Sequence, residues 1–256
     1  MNFFFGVKSS IINSTLTIPR FQNLSFTKKK YEVFELQIDS GKWEFKILRD
    51  IEVNKDFYKI DSSLIKKENI FCLATKNEML ELEKNEFSKL INLNNFSDTS
   101  PEFRANLKVS LKDGGFSSYQ SDYPFQMSTK KGSILTPLGN LCNINADENI
   151  IFLKNIYELP ILDNFNIFFI NLKTRKVLKK MSGRTNFLNE IIVENEFIHP
   201  EVFLFTDKYL GVPIFCSIKN KHISFEHSSP PHSEMMSVDR FRVINNLKKE
   251  LNEIIS

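Results

Sequence analysis

Glycine and proline are scarce in this chain, eight and nine residues in 256, and tryptophan occurs once. So little of either excludes collagen, a flexible linker array and a Gly-rich phosphate-binding protein. Neither charge sign dominates, since 34 basic residues against 31 acidic ones leave only +3. With no aromatic residues interleaved in its basic runs, the chain lacks the footprint of a nucleic-acid binder, and none is expected as a partner. Long apolar runs are missing too. The richest, 165–172, is interrupted by Asn166 and Asn171, so no membrane span is expected. The first residues lack the leading charge and apolar stretch of a secretory signal, which gives the expectation of a cytoplasmic chain.

Motif absences narrow the chemistry. There is no Gly-x-x-x-x-Gly-Lys loop and no Gly-x-Gly-x-x-Gly fingerprint, which counts against kinases and dehydrogenases. Gly-x-Ser-x-Gly is absent, which counts against an α/β-hydrolase. His-Glu-x-x-His, paired Cys-x-x-Cys and His-x-His are absent as well, so no metal and no cofactor is expected. The three cysteines, Cys72, Cys142 and Cys216, are widely spaced. Two sit inside apolar runs, the setting of buried free thiols.

What is present is the composition of a globular protein with a real core, 41% hydrophobic and 25% charged. Twenty-five phenylalanines and abundant Asn, Lys and Ile show the bias of an AT-rich coding sequence. The sequons at Asn13, Asn23 and Asn95 are discounted for the same reason. No internal repeat is visible. Short runs of β-branched and aromatic residues predict strands at 11–18, 31–38, 43–48, 57–60, 103–111, 133–138, 149–154, 165–172, 177–181, 188–193, 201–205, 213–218 and 222–227. Asp39-Ser40-Gly41-Lys42 reads as a hairpin turn. Thr75 and Glu78 have capping-box spacing, which predicts a helix over 78–91, and apolar spacing from Phe241 to Ile255 predicts an amphipathic helix over 237–255.

The expected fold is therefore mostly β: an antiparallel sandwich or jelly-roll with one internal and one C-terminal helix. The polar stretch 92–101 is the best internal boundary. One β-rich domain over 1–256 is expected, its alternative division being an N-terminal lobe, 1–95, and a C-terminal lobe, 102–256.

Two segments carry the candidate chemistry. In 113–127, Gly114-Gly115 is followed by Phe116, Tyr119, Tyr123 and Phe125 among Ser118, Gln120 and Asp122, and the segment reads as a long loop. Aromatic faces beside amide, hydroxyl and carboxylate groups suit a sugar, which offers an apolar ring face and a polar rim. In 222–234, alternation places His222, Ser224 and Glu226 on one strand face and Ile223, Phe225 and His227 on the other, with Pro230-Pro231 directing His232 and Glu234. An imidazole beside a carboxylate can act as base and orienting acid.

The leading expectation is binding of a polar small molecule or glycan in a cleft between these segments. Arg104, Ser118, Tyr119, Gln120, Asp122, Tyr123 and Arg184 are the ligand contacts. A carbohydrate-modifying or metal-assisted enzyme, with His227 or His232 as base and Glu226 or Glu234 as orienter, is the second reading. A structural or assembly protein, forming a homo-oligomer, is the third. The basic run Lys173, Arg175, Lys176, Lys179, Lys180 and Arg184 reads as a solvated hairpin.

Overall fold

The computed structural model describes residues 2–20, 30–84, 105–120, 134–209, 211–227 and 238–256. The predicted lobe boundary at 92–101 lies outside them. In chain order the elements are β1 (Asn2–Phe4), β2 (Ile12–Pro19), β3 (Tyr31–Asp39), β4 (Lys42–Ile47), β5 (Glu52–Val53), β6 (Phe57–Ile60), β7 (Ile70–Thr75) and α1 (Lys76–Glu83). They continue with β8 (Asn106–Leu111), β9 (Phe116–Gln120), β10 (Leu135–Pro137), β11 (Glu148–Lys154), β12 (Asn164–Asn171) and β13 (Lys176–Arg184). Last come β14 (Leu188–Ile192), β15 (Val202–Thr206), β16 (Val212–Lys219), β17 (His222–His227) and the C-terminal helix α2 (Val238–Ile255).

The molecule is mostly β, and among the described residues every ladder-paired set of strands is antiparallel. The strands form four sheets, ordered β1-β7-β3-β4, β5-β6-β2-β8-β9, β10-β15-β12-β13 and β14-β11-β16-β17. These stand as a four-bladed, propeller-like ring rather than as the two clear layers of the expected sandwich or jelly-roll. The strand orders also reveal a duplication. Among the described residues, taken in chain order, β1 to β4 and β6 to β9 are wired as β10 to β17 are, with β5 an added edge. No repeat shows in the residues because a shared topology demands only a pattern of burial, which many sequences satisfy.

Local chemistry explains most elements. The β3–β4 hairpin turns on Ser40 and Gly41, both left-handed at φ 48° and 75°, and the β16–β17 hairpin on Asn220 and Lys221 at 49° and 65°. Two consecutive left-handed residues form the turn whose twist matches antiparallel strands. At α1 the capping box is realised: the Glu78 carboxylate accepts from Thr75 N at 2.7 Å, and Thr75 Oγ1 accepts from Glu78 N at 3.3 Å. The helix therefore starts at Lys76, two residues before its predicted start.

The sheet β14-β11-β16-β17 is a wall shared by two cores. Ile150, Phe152, Val212, Ile214 and Cys216 face the first half of the chain, whereas Ile151, Leu153 and Phe215 face the sheet containing β12. A strand buried on both sides shows no polar alternation, and β11 accordingly reads Ile-Ile-Phe-Leu without a break. A third cluster joins Leu251, Ile254 and Ile255 of α2 to Phe168, Ile170 and Phe205. Arg175 closes this contact through Glu250 at 3.7 Å and Glu253 at 3.8 Å. The amphipathic tail thus seals a sheet face, and among the described residues no helix is long and apolar enough to cross a membrane.

Candidate functional site

The two candidate segments meet. Residues 116–120 form strand β9, not the long loop expected of 113–127, and β9 runs alongside β17 where two of the sheets abut. At one end Gly115 N donates to Lys221 O at 2.7 Å. Farther along, the Tyr119 and Phe225 rings meet edge to face with centroids 5.9 Å apart. Both contacts share one sequence offset, so the strands run in the same direction, Phe116 level with His222 and Ser118 level with Ser224. The Gly-Gly pair makes this approach possible: a Cβ on Gly114 would fall 2.6 Å from Lys221 O, far inside contact distance.

Alternation divides the seam into two faces. Inward, Tyr119 and Phe225 are buried at 8% and 6% exposure and join the first core, where Phe152 lies 5.8 Å from Phe225. Tyr119 is therefore a core ring and not an exposed stacking platform, since position 119 faces the same side as the core of β2 and β8. Outward stand Phe116, Ser118, His222, Ser224 and Glu226, all exposed. Phe116 is 64% exposed even though the Lys108 ammonium lies 4.4 Å above its ring. A cation so placed is attracted by the ring quadrupole and steadies it at the surface.

The other expected residues are distributed as follows. Gln120 and His227 end β9 and β17, and their side chains are outside the description. Arg104, Asp122, Tyr123, His232 and Glu234 lie outside the described residues altogether. Arg184 is exposed on β13, in a sheet that contains neither β9 nor β17, with its guanidinium 5.2 Å from the Phe187 ring. Sequence reading passed over Lys108 and Phe116 as a pair, because their contact depends on β8–β9 register. The alternation of Phe116 and Ser118 with Ser117 and Tyr119 was the available signal for β9.

Half of the basic run is paired with acids within the molecule. Lys173 pairs with Glu201 at 3.0 Å and Lys179 with Glu194 at 2.5 Å, while Arg175 holds α2. Lys179 also lies 5.6 Å from the Phe197 ring, and Lys180 lies 5.6 Å from that of Phe168. Cys72 and Cys216 are buried free thiols, as expected, and Cys142 is half-buried. Burial pushes all three up, Cys142 and Cys216 to about 12, so they stay protonated and unreactive near neutrality. Among the described residues no three His, Cys, Asp or Glu side chains gather as a metal site.

Comparison of the chain with protein-family models, curated proteins and solved structures finds no match.

Proposed function

We propose that the outer face of the β9–β17 seam recognises a polar ligand with an apolar ring face, a glycan being the class that fits best. The observation that supports this reading is the exposed ring of Phe116, level with His222 and backed by Lys108, beside a strip of Ser118, Ser224 and Glu226. A saccharide ring stacks on an aromatic face while its hydroxyls bond to hydroxyl, imidazole and carboxylate groups around it. The described residues of the strip lie exposed along two strands, which favours an extended ligand laid along the seam over a small molecule enclosed in a cleft.

The test is a titration of the protein with a panel of neutral and acidic oligosaccharides, followed by NMR or calorimetry. Binding that weakens at least about tenfold in both Phe116→Ala and His222→Ala is expected, a loss of roughly 1.4 kcal/mol. Binding that neither variant alters would overturn the reading, and so would no binding by any member of the panel.

An assembly role is favoured by a different feature. Leu159, Ile161 and Leu162 are exposed at 48%, 37% and 44% on a loop fixed by Asn186, Thr185 and Trp43. That reading requires self-association, measured by light scattering, that the seam variants leave intact and Ile161→Ser abolishes.

A further inference from the structure

One amine is sealed in the join between the two halves. Lys154 ends β11 on the face that carries Ile150 and Phe152, and it is 1% exposed. Its Nζ donates to Lys67 O at 3.2 Å and to Asn69 O at 3.1 Å, both in the connection between β6 and β7 of the opposite half. A neutral amine has two N–H bonds to give, and two carbonyls receive them. The ammonium adds a third N–H and a full charge in a site closed to water.

The ionised groups of the surrounding elements do not compensate that charge directly. Glu190 on β14 is paired with Lys67 at 2.7 Å, and Glu35 on β3 accepts from the Asn69 amide. Glu68 acts on the amine only through space. The same connection is tied a third time, by Leu188 N donating to Lys67 O at 2.9 Å. Lys154 is thus the central of three links by which the second half grips residues 67–69.

We propose that Lys154 is a proton-operated interlock between the halves: losing its proton tightens the join, and taking one up loosens it. Burial pulls the amine down from its ordinary 10.5 to about 7, against a smaller upward pull from Glu68. The folded chain therefore binds fewer protons than the opened chain between those limits, and the join strengthens as pH rises through that window. Below it the full cost of the buried charge is present and constant.

The experiment compares urea unfolding of the full chain and of Lys154→Met at about pH 7 and about pH 8.5, the thiols being common to both proteins and cancelling in the difference. Over that interval the folding equilibrium constant of the wild type should rise roughly fifteenfold more than that of the variant, the slope approaching tenfold per pH unit only well above pH 7. Lys154→Met, similar in length and apolar, should lack this gain. An equal gain in both proteins would overturn the proposal. Should the variant fail to fold, a titration of the wild-type lysine side chains by carbon-detected NMR decides: one lysine titrating near neutrality supports the interlock, and all lysines titrating above about pH 10 refute it.

Discussion

Tyr119 of β9 and Phe225 of β17 pack edge to face at 71°, one ring from each half of the duplicated topology. The contact belongs to the packing level, yet it determines which way every neighbouring residue of the seam faces. Phe225→Ala should destabilise the protein by about 3–5 kcal/mol, because it removes a buried ring and leaves a cavity against Phe152. A double-mutant cycle with Tyr119→Leu in urea should return about 0.5–1.5 kcal/mol for the ring pair itself. A coupling near zero would mean that the two halves are joined elsewhere.

Gly114→Ala should also damage the seam, by a different route. The added methyl would meet a backbone carbonyl, which cannot swing aside as a long side chain would. A loss of about 1–3 kcal/mol is expected, typical of overpacking, with faster hydrogen exchange at Gly115, whose amide donates to Lys221 O. Normal exchange at Gly115 would show that the turn had adapted.

The basic residues of β13 have a structural assignment. This nine-residue strand is the edge of its sheet, carries Lys176, Lys179, Lys180 and Arg184, and has a register shift opposite Phe169 and Ile170. Lysines and bulges on an edge strand deter pairing with another chain. Replacing Lys176 and Lys180 with threonine should leave unfolding within about 0.5 kcal/mol of wild type but promote association. Light scattering over days at constant concentration provides the check, and a stable monomer would remove this role.

Asn186 organises the loop after β11. Its amide donates to Leu159 O at 2.9 Å and Ile161 O at 3.1 Å, and its oxygen accepts from Tyr157 N at 2.6 Å. At 1% exposure no water can replace these partners. Asn186→Ala should cost about 2–4 kcal/mol, chiefly from the groups it leaves unsatisfied, and a loss below about 1 kcal/mol would contradict the network.

Alkaline conditions should reverse the gain attributed to Lys154. Cys72, Cys142 and Cys216 are all raised by burial above the ordinary thiol value of 9.0. Below that value both states are protonated and nothing is lost. Above it the unfolded chain ionises while the folded one cannot, so stability falls. Melting temperatures should drop between about pH 9 and pH 10.5, and Cys142→Ala should shrink the drop.

Much of the strand pattern was legible because half-buried strands announce themselves by alternation: β2, β6 and β17 stand within a residue of where the sequence puts them. The missed strands have physical reasons. β1 and β5 are too short to show a period, and β7, Ile-Phe-Cys-Leu-Ala-Thr, is buried on both faces. The arrangement of sheets was not legible, since alternation tells a residue which face it occupies but not which sheet lies opposite. For the candidate site, the outward set of His222, Ser224 and Glu226 followed from period two alone. Tyr119 did not, because its direction depends on which face of β9 meets the core.

The shared wall has a consequence for how the chain can be divided. Ile150, Phe152, Val212, Ile214, Cys216 and Phe225 belong to the core that the first half builds. A protein cut between β9 and β10 would consequently yield two pieces with matching bare patches, each insoluble by itself and each the other's natural chaperone. Co-expressed, they should find one another and rebuild the native molecule, as two subunits do that were never joined.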